Sequence, residues 1–122
     1  MTKRRKLPTR GRVKPITVTV RGNELHVPDV SLGKGAHLIV WHLVAAPPLG
    51  HLGFEWCVQP PPSPFGRFTP LGPHWGAMTD LHRGGPTKKW PYRLFLIRGR
   101  RRTHSSRPCK LTGGGNPNIK NN

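Results

Sequence analysis

The apolar residues of this chain are gathered into runs too short for a helix and separated by glycine and proline, and this spacing limits the fold more than any other feature. The runs cover residues 16–20, 36–44, 53–58 and 92–97, and between them lie most of the 15 glycines and 15 prolines. No stretch repeats apolar residues at the helical period of 3.6, whereas several alternate at the period of two that suits a half-buried strand. The pattern predicts an all-β chain.

Ile16, Val18 and Val20 alternate with Thr17 and Thr19, and Arg21-Gly22-Asn23 carries turn chemistry. Leu25 and Val27 then alternate with Glu24 and His26 as far as Pro28, which has no amide to donate and marks an edge strand or an early end. These two segments predict a hairpin. After a turn over 31–35, residues 36–44 are apolar on both faces, with Leu38, Val40 and Val44 opposite Ile39, Trp41 and Leu43, as in the central strand of a sandwich. Residues 45–73 read as a Pro-rich loop holding one apolar island at 53–58 and a short strand near 65–69. Another strand is expected over 74–80, a turn-rich connection over 81–89, and a strand over 91–98 with Tyr92, Leu94 and Leu96 opposite Arg93, Phe95 and Ile97. Six to seven short strands separated by turn signals predict a small antiparallel β-sandwich body over 15–97.

Charge divides the chain differently. The net charge is +17, and it is concentrated outside that body. Residues 1–14 carry Lys3, Arg4, Arg5, Lys6, Arg10, Arg12 and Lys14, and residues 98–122 carry Arg98, Arg100, Arg101, Arg102, Arg107, Lys110 and Lys120, with no acid in either segment. The middle sets Glu24, Asp29, Glu55 and Asp80 against its own basic residues. GC-rich codon usage raises Arg, Gly, Pro and His throughout a chain, but it does not explain why acids are confined to the middle. The expected organisation is a disordered basic arm over 1–14, the sandwich, and a basic Arg-rich segment over 98–122 that ends in a disordered Gly/Asn tail.

The order of the elements resembles that of small bacterial proteins with a cupredoxin-like or immunoglobulin-like β-sandwich. The likeness rests on the opening strand at 16–20 and on Gly35-Ala36-His37-Leu38-Ile39-Val40-Trp41-His42-Leu43. It extends to Met78-Thr79-Asp80, Gly84-Gly85, Lys89-Trp90-Pro91-Tyr92-Arg93-Leu94-Phe95-Leu96, and a closing Asn116-Pro117-Asn118-Ile119-Lys120-Asn121. In such proteins the closing motif looks like an Asp-Pro-x-Ile-x-Asn ending that tucks back on the sheet; here Asn116 replaces the acid. The resemblance implies a fold and no particular activity, and it does not extend to the Pro-rich 45–73 stretch or to the arginines of 98–107.

The chemistry legible in the residues is that of binding. Four acids are too few for paired general acid and base work, so no enzyme is expected. Gly113-Gly114-Gly115 follows no strand–helix pattern and reads as tail rather than as a phosphate loop. A blue-copper site would draw on Cys57, His74, Met78 and one of His37, His42 or His51, but sixteen residues separate Cys57 from His74, where cupredoxins pack these ligands on one loop. Met78 reads as packing, His42 as a core-flanking histidine held by a hydrogen bond, and no metal or other cofactor is expected. Cys57 lies in an apolar run and Cys109 in a basic, Pro-flanked tail, so a buried and an exposed thiol are expected, with nothing pointing to an oxidising compartment. The charged start is followed by Pro8, Gly11 and Pro15 instead of an apolar stretch, and no run is long enough for a bilayer, so the expectation is a cytoplasmic protein away from membranes.

Clustered lysine and arginine gain binding free energy by displacing the counterions of a polyanion, and arginine adds a planar fork that matches phosphate oxygens. The expected ligand is therefore RNA or DNA, held along its phosphate backbone by Lys3, Arg4, Arg5, Lys6, Arg10, Arg12, Lys14, Arg98, Arg100, Arg101, Arg102, Arg107 and Lys110. Lys88 and Lys89 beside Trp90 form a second, smaller candidate site. No recognition helix or base-reading aromatic pair is visible, so binding of low sequence specificity is expected. Two alternatives remain: a protein–protein interaction module, and a copper-type metal-binding sandwich.

Overall fold

Ten strands and no helix occupy the described residues, which in this computed structural model are 13–33, 35–44, 49–57, 65–81, 88–106 and 117–121, without the side chains of Lys88 and Asn121. The strands are β1 (Val13–Arg21), β2 (Glu24–His26), β3 (Val30–Leu32), β4 (His37–Leu43), β5 (His51–Trp56), β6 (Thr69–Pro70), β7 (Trp75–Asp80), β8 (Lys88–Arg98), β9 (Arg101–Ser105) and β10 (Asn118–Asn121). Their pairing runs β3-β10-β8-β9-β2-β1-β4-β7-β6, with β5 added on β8.

Strand β1 belongs to both halves of this arrangement. Its residues 13–18 pair in parallel with β4, and its residues 19–21 pair antiparallel with β2. One half is therefore β1-β4-β7-β6. The other is built on β8, which carries β5 along one edge and β9 followed by β10 along the opposite edge. The alternation expected over 16–20 is present, since Ile16 and Val18 are buried while Thr17 is exposed.

The inward faces meet in one core. Ile39, Trp41 and Leu43 of β4 and Met78 of β7 face Leu52 of β5 and Tyr92, Leu94 and Leu96 of β8, and Leu25, Val30, Leu32 and Ile119 close the remaining side. A polar link runs through this apolar interior: the Trp41 indole N–H donates to the Tyr92 hydroxyl at 3.1 Å. Trp41 also meets the rings of Phe54, Phe68 and Tyr92 at centroid separations of 5.6, 5.6 and 5.7 Å. Gly76 makes room for this cluster, because a Cβ there would run into the Phe68 ring.

Burial pushes the Tyr92 phenol well above its ordinary ionisation range, against the opposing pull of the Trp41 hydrogen bond, and the charge of Asp29 adds to the rise. The native phenol thus keeps its proton at a pH where the unfolded chain loses it. Its stability contribution is complete below pH ~10 and is lost as the pH climbs from there toward the raised native value. Tyr92 is the only tyrosine in the chain, so the prediction has a direct readout. In an alkaline titration the tyrosinate absorption band should emerge in one cooperative step together with loss of the near-ultraviolet circular dichroism. A smooth titration near pH 10 with the fold intact would contradict the buried placement.

Several expectations are corrected. The sheet is mixed and has ten strands rather than six or seven in an antiparallel arrangement: β1 lies parallel to β4, β10 to β3, and β2 to β9. The strand that begins at Glu24 stops at His26, the early end that Pro28 marked, but Val30–Leu32 forms a separate strand where residues 31–35 were expected to turn. Lys88 and Lys89 open β8 instead of lying in a loop. Residues 98–105 are not an extension from the body, because Arg101–Ser105 folds back on β8 as β9. Nor are residues 118–121 a disordered tail: β10 lies between β8 and β3, and Asp29 accepts a hydrogen bond from the Asn118 amide at 3.0 Å. The inward-turned ending that the resemblance implied is present at this point of the chain.

Candidate functional site

The β8–β9 hairpin turns on Gly99 and Arg100. Gly99 has a φ of 65° at the first central position, where a two-residue turn compatible with strand twist calls for glycine. The turn presents Arg98, Arg100 and Arg101, all exposed, at one end of the molecule. Arg98 and Arg101 are cross-strand partners in the register, so their backbones are fixed opposite one another while the guanidinium groups reach solvent.

Arg102 behaves differently from its three neighbours. Its guanidinium carbon sits 3.8 Å from the centre of the Phe95 ring, and its Nη1 lies 3.2 Å from Oε1 of Glu55. Phe95 points away from the core yet is only 5% exposed. The missing side chain of Gly53 is what lets it lie flat against β5, since a Cβ there would strike the Phe95 ring and approach Ile97 Cδ1 to 2.8 Å. Arg102 covers the other side of that ring. The ion pair is half exposed and contributes at most about 1 kcal/mol to stability, but it assigns Arg102 to the sheet surface and not to a free cationic cluster.

The remaining predicted residues are spread out. Lys89 is exposed near the start of β8 and stands opposite Lys120 in the register with β10. Lys89 and Arg98 lie nine steps apart on the same strand, so their backbones are about 30 Å apart at ~3.3 Å per residue. Lys14 is half-buried on β1 opposite Ile39. Lys88 lies in β8 beside the same end, across from Asn121. Lys3, Arg4, Arg5, Lys6, Arg10, Arg12, Arg107 and Lys110 fall outside the described residues.

Sequence reasoning missed a cleft. About 510 Å³ in volume, it opens between β5 and residues 66–70, and Phe54, Trp56, Phe68 and Met78 line it together with exposed His51 and Arg67. Phe54 lies nearly parallel to Tyr92 on one side and to Phe68 on the other, at 5.2 and 5.3 Å with interplanar angles of 12° and 19°. Trp56 meets Phe54 edge-on at 4.9 Å and Phe65 at 4.8 Å. The aromatic residues of 54–68 were visible in the sequence, but they sit in the Pro-rich region without strand alternation across its length, so nothing there marked them as one wall.

Other candidate ligands resolve into structural roles. His42 stacks on Trp75 with centroids 3.7 Å apart and an interplanar angle of 12°, in place of the hydrogen bond expected for it. His37 pairs its Nδ1 with the Gly35 carbonyl at 3.1 Å, and Met78 is buried in the core. Cys57 is disulfide-bonded and not a free thiol as expected, while Cys109, the other cysteine of the chain, lies outside the described residues. Among the described residues no three His, Cys, Asp or Glu side chains are grouped as a metal site, and no helix is long and apolar enough to cross a membrane. No protein-family model matches this chain, and no curated protein matches it.

Proposed function

We propose that this protein is a non-enzymatic nucleic-acid-binding accessory that grips the phosphate backbone with little regard for base sequence. The observation that carries this reading is the trio of exposed arginines on a strand-anchored turn. Arg98, Arg100 and Arg101 stand close together on the β8–β9 turn, and the Glu55 carboxylate of the adjoining β5 is engaged by Arg102. A fixed backbone lowers the entropic cost of aligning several guanidinium groups with successive phosphates. The basic segment 1–12 and the Lys89–Lys120 pair add to the same attraction at other points.

The sandwich reading, cupredoxin-like or immunoglobulin-like, is retained as a description of the scaffold. The disulfide at Cys57 favours an oxidising environment over the cytoplasm, because such bonds persist there, and it engages the thiolate that a copper site would need. Electrophoretic mobility with a mixed-sequence oligonucleotide tests the function. Binding is expected at 50 mM salt and should weaken by roughly three to five decades by 200 mM if six to ten phosphates are contacted. Absence of binding at the lower salt, or indifference to ionic strength, would remove the proposal.

A protein-binding module is the second reading. It rests on β5, which among the named strands pairs only with β8 and so leaves an edge for strand addition. Co-purification of a protein that survives nuclease treatment would favour it.

A further inference from the structure

We propose that the cleft between β5 and residues 66–70 receives an unpaired base of a single-stranded nucleic acid, while Arg67 and the arginines of the β8–β9 turn hold the flanking phosphates. This rests on the phosphate-binding reading above and adds to it a ligand class and a seat. Four features of the cleft support the assignment. Its walls are aromatic rings already held by one another, with Phe54 fixed between Tyr92 and Phe68, so little order is lost when a flat ring enters. Its volume of about 510 Å³ suits a single nucleoside and is too small for a base pair with its backbones.

Its position supplies the third. Ile97 lines the cleft and is followed directly by Arg98, so the cleft adjoins the cationic turn, and exposed Arg67 lines it as well. A ligand with a flat ring and an anionic linker matches that combination of aromatic walls and nearby arginines; an acyl chain or an apolar peptide segment would leave the arginines unused. The fourth is the scarcity of polar side chains. Among the described lining residues His51 and Arg67 are the only ones with an ionisable side chain, which suits a platform that accepts any base better than a site that reads one.

The test compares two oligomers of equal length and charge on the full chain at low salt: oligothymidylate, and an abasic deoxyribose-phosphate strand. Fluorescence anisotropy is expected to show the oligothymidylate bound about tenfold more tightly or better, the benefit of base–aromatic contact, and Phe68→Leu should remove most of that preference. Should Phe68→Leu fail to fold, Arg67→Ser alters only an exposed side chain and is expected to weaken both oligomers alike. Equal affinity of the unaltered protein for the two oligomers would overturn the base-holding cleft while leaving backbone binding in place. Binding of neither would overturn backbone binding and the cleft assignment together. A preference for oligothymidylate that persists unchanged in folded Phe68→Leu would place the base elsewhere and also overturn the assignment.

Discussion

Trp41→Ala is expected to abolish the cooperative fold. Trp41 is completely buried, and its ring stands at the meeting point of Phe54, Phe68 and Tyr92. Truncating a buried tryptophan costs about 3–5 kcal/mol through lost transfer free energy and the cavity left behind. The Tyr92 hydroxyl loses its donor as well, and an unsatisfied buried polar group costs a further ~1–3 kcal/mol. A domain of this size has a total stability of about 5–15 kcal/mol, so the sum consumes much or all of it. Thermal melting followed by circular dichroism should show either no transition or one shifted down by tens of degrees, at roughly 4–8 °C per kcal/mol. Trp41→Phe keeps an aromatic ring and should be milder, yet it still leaves the Tyr92 hydroxyl without its partner. A Trp41→Ala protein that melts like the parent would show that the two halves of the fold are not joined through this residue.

The second large effect concerns binding. Replacing Arg98, Arg100 and Arg101 together with serine should leave stability nearly unchanged, because the three side chains are exposed and surface changes of this kind stay within about 0.5 kcal/mol each. Nucleic-acid affinity should fall sharply. Each phosphate neutralised contributes about 0.9 to the slope of log affinity against log salt, so loss of three contacts flattens the slope by roughly three and lowers affinity at 0.1 M salt by about two to three decades. Arg102→Ser supplies the contrast. Its guanidinium covers Phe95 and pairs with Glu55, so its removal should disturb stability more than binding. If Arg102→Ser weakened binding as strongly as the triple substitution, the distinction between the turn and the sheet surface would be wrong.

The parts of the fold that were legible in the sequence are those where burial and alternation coincide. Residues 16–20, 37–43 and 91–98 each bury alternate apolar side chains, and each lies in a strand; 75–80 is also a strand, but it buries Gly76, Ala77 and Met78 in succession. The β9 strand was hidden because Arg101, Arg102, Thr103, His104 and Ser105 include no apolar residue. It is held by backbone pairing with β8 and by the Ser106 hydroxyl, which accepts a hydrogen bond from the Leu94 amide at 2.9 Å. An arginine-rich stretch therefore looked like an extension when it is half of a hairpin, and Gly99 was the one local sign of the turn. Parallel pairing of β1 with β4 was equally invisible, since a strand's composition does not state its partner's direction. Among the basic residues, the cluster at 98–102 was found but its division was not: Phe95 and Gly53 are distant in sequence, and only their approach explains why Arg102 is held while its neighbours are free to reach solvent. Arg67 carried no signal, and His51 only that of a copper-ligand candidate, until β5 and residues 66–70 came together.

The position of β10 has a consequence for how the protein is made. Val30 and Leu32 are synthesised early, yet the strand that contains them has its partner at residues 119–121. During synthesis this segment must wait with its edge open to other chains until residues 119–121 have been made. Pairings of such long sequence separation form slowly, and the species that precede them are prone to aggregate. Completion of this part of the sheet accordingly waits until residues 118–121 are available to enter between β3 and β8.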